Sequence, residues 1–553
     1  MASKDQNKVI LFGLDGGTFN VIRPMIDDGL LRNLQFLISN GCSGVLQSCF
    51  PPITSPAWLC LATGKNPGRL DVYSFLKENR EGMKYQPVTS QDFIRNGSIW
   101  DYLSEAGKKV GILDYPILYP PYPVNGFMVS GLTLLNDKSS YPEGLKKQLD
   151  EICGGSYWTR VSSNSPKYLD NEGLFIGDIE QSIENCRRAI NYLLGKKQPD
   201  LFIVVLSATD FLQHYLWKYW DENHPEHIRG NPKFQRYKDE FIRLWERVDD
   251  VIGDVLKLSG ENTNLFIVSD HGFGAQYRTF RLNAWLEKEG YLVRKRTRKI
   301  KSQAYFKMKG LAWALRKLKL LSPGRIKRGR ELFTPLNLSV IRQIDSEKSI
   351  AYALQTNNVF GAIRILAPVK DKLTQGELIR LKGEIIEKLA DFGKGQSPKL
   401  VIRGYLPEEI YTGDYDTWAA PDIMLDVNDF ECMIDTQTFS KELIQNGTQT
   451  SSKSGIHRIE GVLIAHGPWV ENNHEVKNAT IFDIAPTLLY ILGQPIPDDM
   501  DGKVLQEIMR NEFLEKHPIS YQESNLFAEK SYQAEEELDM KQIEKQLKGL
   551  GYL

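Results

Sequence analysis

Eight histidines occur in 553 residues, and three stand in contexts that suit a metal ion. Asp210-Phe-Leu-Gln-His214 has the i, i+4 spacing that puts a carboxylate and an imidazole on one helical face. Asp270-His271-Gly272 follows an apolar run, and its glycine lets the backbone turn sharply. His457 lies in Ser454-Gly-Ile-His-Arg-Ile-Glu-Gly461, read as a glycine-bracketed loop ahead of Val462–Ala465. Each alone is ordinary, because a D-x-x-x-H pair is more often a weak ion pair on a helix surface. With Asp15 added, carboxylate oxygens and imidazole nitrogens are numerous enough for two ions, and these donors suit Zn²⁺ first and Mn²⁺ second. Two such ions about 4 Å apart clamp the attacking and leaving oxygens of a phosphoryl displacement. His224, His227, His466, His474 and His517 read as surface or structural residues.

Such a site needs a nucleophile. Phe50-Pro-Pro-Ile-Thr54-Ser55-Pro56-Ala57-Trp58 is turn-rich, and a helix is expected over Ala57 to Thr63. A Thr or Ser hydroxyl at a helix N-terminus meets unpaired N–H groups and the positive dipole end, which favour an alkoxide and a phosphate. The same hydroxyl is also a common helix N-cap. The spacing leaves both roles open.

The elements that must position these residues are legible as apolar runs ending at polar ones. Val9–Leu14 ends at Asp15, Leu201–Leu206 leads to Asp210, and Leu265–Ser269 ends at Asp270. Runs of five or six Val, Ile, Leu and Phe read as strands covered on both faces, hence an α/β fold with a mainly parallel central sheet sandwiched by helices. In such sheets ligands gather at the carboxyl ends of strands. Helices are expected at Pro24–Asn40, Asp178–Leu194, Glu240–Leu258 and Ile481–Leu492. Tyr73 to Tyr168, rich in Pro, Tyr and Gly, reads as a cap inserted over the sheet edge, and residues 350 to 430 as a smaller α/β unit with a polar helix at Thr374–Phe392. The resulting division is a catalytic core at 1–290 with its cap at about 73–170, a basic amphipathic segment at 291–335, an inserted α/β unit at 336–450, the end of the core at 451–515 and a helical tail at 516–553.

Composition bounds the rest. Apolar residues are 41% and charged residues 25%, as in globular proteins and unlike disordered or collagenous ones. Lys plus Arg (69) balances Asp plus Glu (70), so no bulk attraction to nucleic acid is expected. Arg294 to Arg330 breaks that balance, with fifteen Lys or Arg and no acidic residue. Its aromatic and aliphatic residues alternate with cations, which suits either an anionic membrane surface or an acidic neighbour within the protein. No run reaches the ~18 apolar residues of a membrane span, and Val9–Leu14 is too short for a signal-peptide core. Six scattered cysteines without a C-x-x-C pair suggest reduced thiols. A cytoplasmic location, peripheral at the membrane if the basic segment docks there, is the expectation; the oligomeric state is not addressed.

In order along the chain, Asp15, Thr54, Asp210-x-x-x-His214, Asp270-His271-Gly272 and Gly455-x-His457 resemble the alkaline phosphatase superfamily. The resemblance is nearest to its type I phosphodiesterase/nucleotide pyrophosphatase group and the related predicted phosphohydrolases and phosphomutases. It covers residues 9–75, 199–275 and 453–505, including Ala479–Leu489 and Asp501-Gly502. It implies an alkaline-phosphatase-like fold and two divalent ions. Asp15, Thr54, Asp270 and His271 would hold the ion that activates Thr54, while Asp210, His214 and His457 would hold the other. It further implies a phosphate-ester substrate and a covalent threonine intermediate. Thr54-x-Pro56-x-Trp58 departs from the C-x-P-x-R signature of sulfatases. Where nucleotide pyrophosphatases usually have a phosphate-binding Asn, this chain has Ala57, so the substrate oxygen is assigned instead to backbone N–H groups or to Lys65. His-Gly-Ile of the relatives is replaced by Leu70-Asp71-Val72. The expected activity is hydrolysis of a phosphodiester or pyrophosphate. A phosphomonoesterase or phosphomutase is the alternative on this scaffold, and a non-catalytic scaffold docking through residues 294–330 is the alternative of another class.

Overall fold

The structure is a computed structural model that describes residues 7–78, 85–131, 138–161, 168, 171–295, 343–354, 356, 359–436, 439–447 and 453–524. The basic segment therefore lies outside the described residues except for Arg294 and Lys295, as does the tail from 525 onward.

Nine strands form the central sheet: β1 (Lys8–Leu14), β2 (Cys42–Gln47), β3 (Val110–Pro116), β4 (Gly126–Gly131), β5 (Ser140–Tyr141), β6 (Leu201–Leu206), β7 (Thr263–Val268), β8 (Glu460–His466) and β9 (His474–Thr480). Their order is β9-β2-β8-β7-β1-β6-β3-β4-β5. The block from β7 through β4 is parallel throughout, and β8 and β5 run antiparallel to their neighbours. β6 and β7 are buried along their whole length, as continuous apolar runs demand when helices cover both faces. The sheet is α/β and mainly parallel, as the sequence predicts.

β7, β1 and β6 are adjacent, with Gly13 opposite both Val268 and Val205. Their carboxyl ends carry Asp270, Asp15 and Asp210, so one edge of the sheet gathers three carboxylates within neighbouring strand spacings of about 4.8 Å.

Two sequence expectations change. The Tyr73–Tyr168 stretch was expected to cap the sheet edge, yet it contributes β3, β4 and β5 to the sheet itself. All seven residues of β3 are buried, and its pairing to β6 extends the parallel block. The Pro and Tyr around it obscure a strand that burial and pairing stabilise. Second, Pro24–Asn40 is not one helix but two, Phe19–Asp27 and Arg32–Ser39, separated where Gly29 adopts a φ of 74°. Pro24 sits inside the first.

Residues 351–427 include a four-stranded antiparallel sheet, ordered Ala351–Ala353, Gly361–Ile365, Ile423–Val427 and Ile402–Tyr405, and the helix Gln375–Lys394 packs on the last of these. Among the described residues no helix is long and apolar enough to cross a membrane.

Candidate active site

The loop from β2 leads into helix α1 (Thr54–Thr63), whose first turn carries the proposed nucleophile. The N-cap is Ile53, in extended conformation and without a side-chain acceptor, so Thr54 is the first helical residue and does not cap the helix. The capping alternative is thereby excluded. Instead, Thr54 Oγ1 lies 3.3 Å from His271 Nε2, fully buried.

Three contacts hold this turn. Ser48 Oγ donates to the Asp270 carbonyl, Tyr411 OH donates to the Phe50 carbonyl at 2.7 Å, and His457 Nδ1 lies 3.0 Å from the Pro52 carbonyl. Behind it, Trp58 packs against β1. A Cβ on Gly13 would stand 2.4 Å from the indole, so only glycine lets helix and strand approach this closely.

Helix α2 (Ala208–Trp220) follows β6 and presents Asp210 in its first turn and His214 one turn on, the arrangement the i, i+4 spacing predicts. After Asp270-His271, the strand Gly272–Ala275 pairs antiparallel with Gly455–Arg458, placing His457 opposite Phe273. His457 thus sits on a strand rather than in the expected loop. The long-range pairing that makes it a strand has no local sequence signal.

The ligand atoms form two groups, Asp210/His214/His457 and Asp15/Asp270/His271, each within 4.8 Å and buried. In the first, Asp210 Oδ1 is 3.4 Å from His214 Nε2 and 3.2 Å from His457 Nε2. In the second, His271 Nε2 is 3.2 Å from Asp270 Oδ2 and 3.7 Å from Asp15 Oδ1. The rings of His271 and His457 stack at 3.6 Å and join the groups.

Each imidazole has Nδ1 against a backbone carbonyl: His214 on Gly455 at 2.9 Å, His271 on Gly272 at 3.1 Å and His457 on Pro52 at 3.0 Å. A proton on each Nδ1 leaves every Nε2 lone pair facing the carboxylates, the tautomer a metal ligand needs.

The charges are arranged for cations. Both oxygens of Asp15 and Oδ2 of Asp270 are buried and accept no hydrogen bond. Burial, then the charges of Asp270 and Asp210, push the Asp15 carboxyl well above its ordinary range. Burial likewise raises Asp270, against the opposing donation from the Gly16 N–H at 3.1 Å. Burial also acts to raise Asp210, and only positive charge on the neighbouring His214, His457 and His271 would hold that carboxyl below the usual range. Burial drives His214 and His271 down, so both imidazoles are neutral. Buried carboxylate oxygens without donors beside neutral imidazoles fit divalent cations, which supply the missing partners.

The seven residues singled out as ligands and nucleophile therefore meet at one site; the two substrate contacts do not. Ala57 is buried with its N–H donated to Ile53 O at 3.0 Å. Lys65 lies beyond the far end of α1, about 15 Å along the helix from Thr54. There its ammonium pairs with Asp499 and donates to Asn96 O at 2.8 Å. The first-turn N–H groups of Thr54 and Ser55, which lack intrahelical acceptors, are the remaining local donors for an anion.

Sequence reasoning missed Lys453, whose ammonium stands close enough to Asp210 and His214 for their charges to shift one another. It precedes Ser454, whose N–H donates to His214 O at 2.6 Å, and no sequence motif marks it. His224, expected at the surface, is buried with Nε2 3.1 Å from Ser454 O, tying the end of α2 to the same segment.

The profile of the type I phosphodiesterase / nucleotide pyrophosphatase family matches residues 9–327, more than half of the chain, and the chain belongs to that family. Membership carries phosphodiesterase or nucleotide pyrophosphatase chemistry as its enzyme class. No curated protein sequence matches. Among solved structures, murine ectonucleotide pyrophosphatase/phosphodiesterase 5, an inactive form in complex with AMP, is 13% identical over 91% of this chain and 100% of that one, with a TM-score of 0.49. The human ectonucleotide pyrophosphatase/phosphodiesterase 5 is 15% identical with the same coverage and a TM-score of 0.47.

Proposed function

We propose that this chain hydrolyses a phosphodiester or pyrophosphate bond through a covalent intermediate on Thr54, with two divalent ions, Zn²⁺ or Mn²⁺, at the site. The observation that carries the reading is Thr54 Oγ1 at 3.3 Å from His271 Nε2, at the seam of two buried carboxylate–imidazole groups. Asp15, Asp270, His271 and Thr54 would hold one ion, and Asp210, His214 and His457 the other. When bound, the ions would lower the proton affinity of the nucleophile and neutralise charge on the phosphoryl and leaving oxygens.

The chain's own groups do the rest. The turn tethered at Ser48, Phe50 and Pro52 holds the Thr54 oxygen in place, and the N-terminus of α1 presents N–H donors to a non-bridging oxygen. Thr54 Oγ attacks phosphorus and gives up its proton, the alcohol or phosphate leaving group departs with the bonding pair and ends with that proton, and water then adds to the phosphorus of the Thr54 ester, returning the Thr54 hydroxyl and releasing the remaining phosphate ester.

A monoester reading draws on one observation, the Lys453 ammonium beside the Asp210 group, because a doubly charged phosphate calls for extra positive charge. A non-catalytic scaffold is the poorer reading, since all seven ligand and nucleophile residues are present and converge. Six unpaired cysteines support a cytoplasmic, reducing location.

The test compares ethyl p-nitrophenyl phosphate with p-nitrophenyl phosphate, with Zn²⁺ or Mn²⁺ supplied, in wild type and Thr54→Ala. Faster diester turnover that the variant loses supports the reading. Faster monoester turnover moves it to a phosphatase or mutase, and metal-replete protein inert on both overturns it.

A further inference from the structure

We infer that the four-stranded sheet and its connecting turns position the Thr54 nucleophile by holding Phe50, with Phe430 and Tyr411 as the positioning residues. The inference rests on the phosphodiesterase reading above and adds to it the part this sheet plays in the reaction.

A strained turn marks the contact. The strand Ile423–Val427 runs into Asn428, Asp429 and Phe430, whose φ angles are 53°, 52° and 64°. Asn and Asp visit this left-handed region readily, but a bulky Phe there is an outlier. Such strain persists only where the surroundings over-determine it, and it gathers at functional sites. Here the Phe430 N–H donates to Asp426 Oδ1 at 2.8 Å, and Asn428 Oδ1 accepts from the Val401 N–H at 2.7 Å. Arg403 Nη1 bridges Asp426 Oδ2 at 2.8 Å and Asp429 Oδ1 at 2.6 Å.

The residue held this way meets the active site on two sides. Its buried ring lies 5.5 Å from the Phe50 ring, which also meets Tyr405 at 5.6 Å and Phe360 at 6.0 Å, separations at which aromatic pairs attract. Tyr411 OH donates to the Phe50 carbonyl at 2.7 Å. The Phe430 carbonyl accepts from Arg458 Nη1 at 2.7 Å, and Nη2 of the same guanidinium donates to Ala275 O at 2.6 Å. Arg458 follows His457 in its strand, and Ala275 ends the strand that follows His271. Phe430 thus touches the nucleophile turn with its ring and the two strands beside the ligand histidines with its carbonyl.

The turn passes the position of Phe50 on to Thr54. Between them lie Pro51, Pro52 and Ile53. The proline rings fix φ near −65°, and the Ile53 N–H closes back on Pro51 O at 2.9 Å. A shift of Phe50 is therefore not absorbed within the turn and reaches Thr54 Oγ1, 3.3 Å from His271 Nε2. A reacting group misplaced by about 1 Å loses on the order of 10²-fold in rate. The residues assigned to the ions lie outside this sheet, so its contacts should govern kcat and leave metal and substrate binding alone.

The test is Phe430→Ala, which removes the ring, beside Tyr411→Phe, which deletes only the hydroxyl on Phe50 O and keeps the fold should the first variant lose it. Full chains are assayed with Zn²⁺ or Mn²⁺ supplied, on whichever p-nitrophenyl ester the wild type turns over. Each variant is expected to lose about 10- to 100-fold in kcat with KM within about threefold of wild type. The metal-induced melting shift should keep its wild-type size. A kcat within about threefold of wild type in every variant that folds, a loss carried by KM, or a vanished metal shift overturns the inference. Should wild type turn over neither ester, the phosphodiesterase reading fails on its own, and crystal structures of the variants decide the positioning. A Thr54 Oγ1–His271 Nε2 separation widened by about 1 Å supports it, and an unchanged separation overturns it.

Discussion

Replacing Asp15 by asparagine is expected to shift stability in opposite directions with and without metal. In the metal-free protein the Asp15 carboxylate is buried, accepts no hydrogen bond and is crowded by Asp270 and Asp210. Its folded-state pKa is raised above the unfolded value. Such a group contributes stability that is fully present below the unfolded pKa and is lost as pH rises through the folded one. In EDTA, Asp15→Asn should therefore melt above wild type at pH 7, with a gap that closes as pH falls toward 4. With metal the order reverses. An ion at 100 times its Kd stabilises by about 2.7 kcal/mol, so two ions give about 5 kcal/mol. At about 1 °C per kcal/mol for a chain of this size, wild type should gain about 5 °C on adding Zn²⁺ or Mn²⁺. Asp15→Asn, keeping only the Asp210 group intact, should gain about half of that. Differential scanning calorimetry across pH 4–8, in EDTA and in metal, reads all four curves. A variant no more stable than wild type in EDTA at pH 7, or a metal-induced shift equal to that of wild type, would refute the assignment of these carboxylates.

Thr54→Ala should cost about 10³-fold or more in kcat on whichever p-nitrophenyl ester the wild type turns over. Its metal-induced melting shift should largely remain, since three ligands of that group stay, and loss of the shift would mean that Thr54 acts mainly in metal retention. Gly13→Ala should destabilise by about 1–3 kcal/mol in urea denaturation, because the added methyl meets the Trp58 indole at 2.4 Å and Val205 at 3.0 Å. Asp249→Ala should cost about 1–3 kcal/mol in the same assay. Asp249 accepts from the N–H groups of Asn33 and Leu34, capping the helix Arg32–Ser39 whose own N-cap Leu31 has no acceptor; an unchanged denaturation midpoint would show that water replaces this cap.

Much of the site was legible because its chemistry is carried by residue types in local contexts. Asp15, Asp210 and Asp270 announce themselves as acids at the ends of apolar runs, and His214 and His271 sit at fixed short offsets from two of them. Strands buried on both faces must be continuous apolar runs, so β1, β6 and β7 were readable, and with them the parallel sheet. β3 and β4 were not, because Pro, Tyr and Gly mask their pattern while pairing of β3 to β6, and of β4 to β3, supplies the stabilisation. Pro24 suggested a helix start and instead lies inside a helix, a case where packing outweighs local preference.

What the sequence by itself determined was the set of ligand types and the strand ends that bear them. What only the tertiary structure decided were relations between segments far apart in the chain. Thr54 Oγ1 lies 3.3 Å from Nε2 of His271, 217 residues away, and that contact exists only once β2 and β7 are in place. That Lys65 is spent on Asp499 and that Lys453 reaches the Asp210 group are likewise facts of packing. Local spacing fixes which side chains share a helix face or a strand end. Which of those faces then meet is set by burial and pairing across the whole chain, and no short window of residues encodes it.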